Sequence, residues 1–173
     1  MSLDLSDDDR RLLGLWAGNC AERVLPLFEA RAPGDTRPRE AIEVLRGFAL
    51  GGKRTARLRT VAWAAFAAAR EVGDPVANAA ARAAGYAAGI AYIHALATPH
   101  QVNHVLGPAI SQAQARELAA GDDPAAGDEE IRWAIEHASP AVREIVRRLP
   151  VGNHPCRTRR SALLRQLEAG LRG

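Results

Sequence analysis

Asp74-Pro75-Val-Ala-Asn-Ala-Ala-Ala-Arg82-Ala-Ala-Gly85-Tyr-Ala-Ala-Gly89 reads as a helix from its first two residues, and it is the most plainly signalled helix in the chain. The Asp74 carboxylate can accept from the free amides of a first turn, and Pro75 fits the position where a missing N–H costs nothing. The run from Val76 to Gly89 is mostly alanine, the best helix former, and the pattern continues to about Ala97 before Thr98-Pro99. Gly85 and Gly89 are one turn apart, so together with the alanines they predict close approach of a neighbouring helix. Such a core is built by backbone proximity more than by bulky side chains.

The same punctuation recurs on both sides of this segment. Ser6 can cap a first helix at the amide of Asp9, with three aspartates at the positive end of the dipole. Leu12, Trp16, Cys20, Val24 and Phe28 then recur every four residues as a predicted buried stripe, which Pro26 should kink or split. A second helix starts near Asp35 or Thr36, turns Ile42, Leu45 and Phe48 inward, and stops at Gly51-Gly52. A third runs from about Arg54 to Val72 with Leu58, Val61, Ala65 and Ala69 on one face. Beyond the opening segment, a helix is expected over about Pro99 to Ala120, bent at Gly107-Pro108, then a turn-rich loop over residues 121 to 128. Shorter helices are expected from about Glu129 to His137 and from Ser139-Pro140 to just before Pro150, and a last one presents Leu163, Leu164, Leu167 and Leu171.

No alternating run is long enough for a strand. The expected class is all-α: a single domain spanning residues 1–173, an irregular bundle of seven or eight helices. Composition agrees, with 36 alanines and only eight aromatics in 173 residues, and 47% apolar residues exclude a disordered chain. The stretch from Ala83 to Ala115 carries no Asp, Glu, Lys or Arg, yet it is too rich in alanine, glycine, histidine and amides for a membrane span. The acidic start lacks the features of a secretory signal. Cys20 and Cys156 lie in no paired motif, so a cytoplasmic protein with two reduced thiols is expected.

Charge is unevenly spread. Residues 1 to 45 carry six arginines against nine acids, whereas residues 132 to 173 carry nine against three. Arg143, Arg147, Arg148, Arg157, Arg159, Arg160 and Arg165 form a basic end that could meet a nucleic-acid backbone. No aromatic follows Trp133 to stack on bases, and a solvated basic helix face is the simpler reading. Gly47 to Arg54 approaches the phosphate-cradling G-x-x-x-x-G-K-[ST] loop but lacks the hydroxyl, and a helix C-cap explains its glycines.

His100-Gln-Val-Asn-His104 places two imidazoles on one helix face, at the spacing of a zinc motif, with His94 as a third candidate ligand. Gln101 stands where the general-base glutamate would be, and an amide cannot take a proton from bound water. Core histidines satisfied by hydrogen bonds are the preferred reading over a metal-dependent enzyme, so no metal or cofactor is expected. Asp122, Asp123, Asp128, Glu129 and Glu130 form the one concentrated acidic patch, a solvated loop and helix start that would also suit docking. Arg37 and Arg39 flank Pro38 at a helix start, where positive side chains oppose the dipole. Either they pair with Glu40, Glu43 or a more distant carboxylate, which is favoured, or they contact a partner.

Trp16-Ala17-x-x-Cys20-Ala21-Glu22-Arg23-Val24-Leu25-Pro26-Leu27-Phe28-Glu29, followed by Pro33-x-Asp35-x-Arg37-Pro38-Arg39-Glu40-Ala41-Ile42-Glu43, resembles the opening of immunity proteins associated with bacterial polymorphic toxin systems. The resemblance extends through Ala79 to Ala91, His100-x-x-x-His104-x-x-Gly107-x-Ala109 and Trp133, covering about residues 12–149 and leaving a C-terminal helix at about 155–172 appended. It implies an all-helical, non-enzymatic module whose partner is a cognate protein toxin. Nucleic acid and membrane are not expected as partners, and a homodimer is left open.

Overall fold

A computed structural model of the chain describes residues 4–94, 97–155 and 157–173. Its regular elements are helices: α1 (Asp7–Glu29), α2 (Arg37–Ala49), α3 (Ala56–Glu71), α4 (Pro75–Gly89), a 3₁₀ turn (Ile90–Tyr92), α5 (Pro99–Ala119), α6 (Pro124–Glu136), α7 (Pro140–Arg148) and α8 (Arg159–Arg172). No strand occurs among the described residues. Among the described residues no helix is long and apolar enough to cross a membrane.

Helix α4 is the hub, packed against α5, α3, α1 and α2. Ala77, Ala80, Ala81, Ala83, Ala84, Ala87 and Ala88 are all fully buried, so this helix is enclosed on nearly every side. Small side chains make that possible, because methyl groups let four neighbours approach one axis. Larger side chains close the remaining gaps, with Leu13, Phe28, Leu45, Leu58, Leu106 and Ile110 fully buried around it. Trp16 joins α1 to α6 by donating from its indole to the Ala134 carbonyl at 2.9 Å.

Caps form where the sequence signature is complete. Ser6 and Asp9 make a reciprocal capping box at α1, Asp74 accepts from the Ala77 amide at 2.8 Å, and Ser139 caps α7. At the end of α2, Gly51 (φ 110°) and Gly52 return their amides to Phe48 and Gly47, a Schellman stop that accounts for the glycines of the phosphate-loop lookalike. Both internal prolines are carried inside single elements, Pro26 in α1 and Pro108 in α5, so α1 is not split.

Four expectations are corrected. Leu13 rather than Leu12 continues the buried stripe of α1; Leu12 is 36% exposed. Helix α4 ends at Gly89 and tightens into the 3₁₀ turn instead of reaching Ala97, with residues 95 and 96 outside the described residues. Helix α6 starts at Pro124, because Asp123 caps the Ala125 amide and Pro124 fills the first turn, so most of the expected loop is helical. Gly85 receives a ring rather than a helix backbone: a Cβ there would lie 2.8 Å from Phe66, while one at Gly89 would meet nothing within 4 Å.

The basic carboxyl-terminal region is turned onto the chain itself. Arg143 donates to the carbonyls of Ile135 and Gly170 at 2.7 and 2.9 Å, and Arg147 to those of Arg172 and Gly173. Arg148 pairs with Asp9, and Arg159 with Glu117 and Asp128. These guanidiniums satisfy helix-end carbonyls and tie α7 and α8 to the bundle. Of the other arginines at this basic end, Arg157 and Arg165 are exposed and Arg160 is half-buried. Cys156 lies outside the described residues. Cys20 is a free thiol sealed in the core, and burial pushes it well above the usual thiol range.

Candidate partner-binding surface

The structure brings some of the sequence candidates together and disperses others. His94 and His104 face each other edge-on with ring centroids 6.4 Å apart. Partial burial, reinforced by His94 and His100, holds the His104 imidazole below its ordinary value. His100 sits one turn before His104 on α5, and all three histidines are exposed, so they are not the core histidines expected from the sequence. The described residues contain no group of three His, Cys, Asp or Glu side chains able to hold a metal ion.

The acidic patch divides. Asp122 occupies a left-handed turn (φ 62°) between α5 and α6, Asp123 caps α6, and Glu129 is exposed. Asp128 is drawn to Arg159 at 2.8 Å. Glu130 points inward, its side chain only 7% exposed, where it accepts from Arg23 at 2.7 Å and Gln112 at 2.6 Å and lies 3.4 Å from Arg116. The Arg23 guanidinium in turn covers the Trp133 ring, 4.5 Å from its centroid. Glu130 therefore belongs to a knot joining α1, α5 and α6 rather than to the solvated patch.

Arg37 and Arg39 are held by carboxylates, though by others than their helix neighbours. Arg37 donates to Asp35 and to Glu71, both at 2.7 Å, and Arg39 grips Glu29 in a two-pronged pair at 2.6 and 2.7 Å. The bond from Arg37 holds the Asp35 carboxyl below the usual range, and Arg39 does the same for Glu29.

A different surface emerges from α3, α4 and the 3₁₀ turn. Four of the eight aromatics meet there: Trp63, Phe66, Tyr86 and Tyr92. Trp63 is 65% exposed, the largest of the exposed apolar side chains among the described residues. Phe66 packs edge-on against Tyr86 with centroids 5.0 Å apart, and Trp63 tilts against Phe66 at 6.5 Å. Glycine makes this packing possible, because a Cβ at Gly107 would lie 2.8 Å from the Tyr86 ring, just as one at Gly85 would strike Phe66. Three adjoining grooves of ≈ 360, 290 and 210 Å³ all have Phe66 in their walls. His94 and His104 line the second of them.

The charged side chains lining these grooves are all arginines: Arg59, Arg70 and Arg82. The sequence has no Asp or Glu from Val44 to Arg70, nor from Pro75 to Arg116. Arg54 and Arg57 borrow carboxylates from other helices, Asp7 and Glu40. Arg59 lies over the Tyr92 ring at 4.4 Å, and Arg82 donates to the Tyr86 hydroxyl at 3.2 Å. Among the described residues Arg59, Arg70 and Arg82 have no carboxylate partner. Exposed tryptophan, tyrosine and arginine packed into one patch is the composition that dominates binding energy in protein interfaces.

Residue spacing held the signal for this patch. Arg59, Trp63, Phe66 and Arg70 recur at helical intervals on α3, and Arg82, Tyr86 and Gly89 on α4. What spacing cannot reveal is that the two stripes lie side by side.

The family model described as "Imm-5 like putative immunity protein" matches residues 3–141, from just before α1 into the first turn of α7. It takes in the aromatic and arginine surface and the Glu130 knot, and it leaves out α8. No curated protein and no solved structure matches the chain. With well over half of its length matched, the chain belongs to the Imm-5 like putative immunity protein family.

Proposed function

We propose that this chain is an immunity protein that neutralises a cognate bacterial toxin by binding it, without carrying out a reaction. The observation that carries this reading is the family match over residues 3–141. Supporting it, the helices that meet around α4 form an alanine-packed scaffold, and a closely packed scaffold presents binding residues at low entropic cost. The chain acts in the cytoplasm, a compartment suited to the unpaired Cys20 thiol.

The test identifies a cognate toxin among polypeptides encoded beside this gene that kill a bacterial host, and co-expresses it with this chain in that host. Survival, together with recovery of both polypeptides as one complex, is the expected result. Cell death despite normal accumulation of this chain would overturn the proposal.

A further inference from the structure

We infer that the aromatic and arginine surface of α3 and α4 is the toxin-contacting face, and that its occupant is an acidic protein surface; this rests on the immunity reading above. Three arginines without carboxylate partners among the described residues, Arg59, Arg70 and Arg82, surround an exposed Trp63 on helices that contribute no acid of their own between Val44 and Arg70 or Pro75 and Arg116. Carboxylates supplied by a partner would complete these guanidiniums as forked, charge-assisted pairs. Trp63 would enter the partner as the apolar anchor, ringed by those pairs.

Charge also selects among occupants. A two-fold dimer through this face would set arginine against arginine, since such an interface meets its own copy. Nucleic acid needs open ring faces on which bases stack. Here Arg59 covers Tyr92, whose hydroxyl also donates to the Thr55 carbonyl, and Phe66 is engaged edge-on with Tyr86. Only Trp63 offers a largely exposed ring, which suits a single anchor in a protein pocket better than a row of stacked bases.

The test measures binding of the toxin that this chain neutralises in co-expression, inactivated by substitution, to the full chain and to three variants. Trp63→Ala should weaken binding at least about 30-fold, the loss expected of a central anchor. The pair Arg59→Ser/Arg70→Ser should weaken it about tenfold at low salt and less at high salt, because screening removes the term these charges supply. Asp122→Asn/Glu129→Gln, on the acidic side, should leave affinity unchanged. Circular dichroism of each variant checks that the fold is kept. Unchanged affinity in the first two variants, with loss in the third, overturns this inference and leaves the immunity reading standing. No binding by the wild-type chain overturns both. Concentration-dependent dimerisation abolished by Trp63→Ala, or salt-sensitive binding of a thymidine oligonucleotide abolished by the same change, would also overturn it.

Discussion

Replacing Glu130 by alanine should unfold the protein more readily than any change in the neighbouring acids. The side chain is 7% exposed and receives two short hydrogen bonds, from Arg23 at 2.7 Å and Gln112 at 2.6 Å, with Arg116 3.4 Å away. A hydrogen bond involving a charged group is worth about 1.5–3 kcal/mol, and removing one partner of a buried pair costs about 3–5 kcal/mol when the other charge stays dry. Arg23 and Arg116 do not stay dry, since their side chains are 34% and 38% exposed and can rehydrate. The expected loss is therefore about 2–3 kcal/mol, or roughly 4–12 °C in Tm for a chain of this size. Glu130→Gln should cost about 1 kcal/mol, because an amide oxygen in the place of Oε2 can still accept from both Arg23 and Gln112, while the charge that attracts Arg23 and Arg116 is lost. Urea denaturation followed by circular dichroism gives both numbers. An Ala variant within about 0.5 kcal/mol of wild type, the range of ordinary surface changes, would refute the inward placement of this carboxylate.

Two further predictions concern packing and pH. Gly107→Ala should destabilise by about 1–2 kcal/mol even though alanine is the better helix former, because overpacking outweighs a gain of about 1 kcal/mol in propensity. The new methyl would meet Tyr86 at its Cγ, 2.8 Å away, where swinging the ring tip gives no relief; Gly85→Ala meets only the outer Phe66 ring and should cost less. Equal stabilisation of both variants in urea would show that the rings do not sit over these glycines. For Glu168, burial pushes the carboxyl up, but bonds from the Gly152 amide, His154 and Arg172 outweigh it and hold the group below the usual carboxylate value. A lowered folded-state pKa adds stability that is present above about pH 4.5 and disappears as pH falls through the folded value. Glu168→Gln should thus flatten the acid limb of the stability–pH curve, and an unchanged limb would contradict the assignment.

Helix starts and stops are legible in the chain because they rest on local chemistry. Asp74-Pro75 and Ser139-Pro140 cap as expected, Gly73 takes a positive φ of 69°, and the four leucines of α8 all turn inward. Asp123-Pro124 carries the same signature, but the glycines and acids around it read as a loop. The end of α4 at Gly89 defeats a propensity argument, since Ile90 to Ala97 contains enough alanine to continue, yet the backbone tightens into the 3₁₀ turn at Ile90–Tyr92.

The surface is harder to read than the fold. Glu130 stands one position after exposed Glu129, and composition cannot distinguish an acid facing solvent from one facing two arginines. Trp63 and Tyr92 meet around one set of grooves only because α3 and α4 pack side by side. That Arg37 and Arg39 should be paired follows from their place at a helix start, yet two of their partners, Glu71 and Glu29, lie on α3 and α1. Long-range pairings of this kind leave no periodic trace.

Neutralisation by binding has a stoichiometry, and titrating a fixed amount of active toxin with this chain tests it most directly. Toxin activity should fall linearly and vanish at one equivalent. Progressive loss at small fractions of an equivalent would mean that the chain acts as a catalyst, and undiminished activity at a large excess would mean that it does not act on the toxin at all.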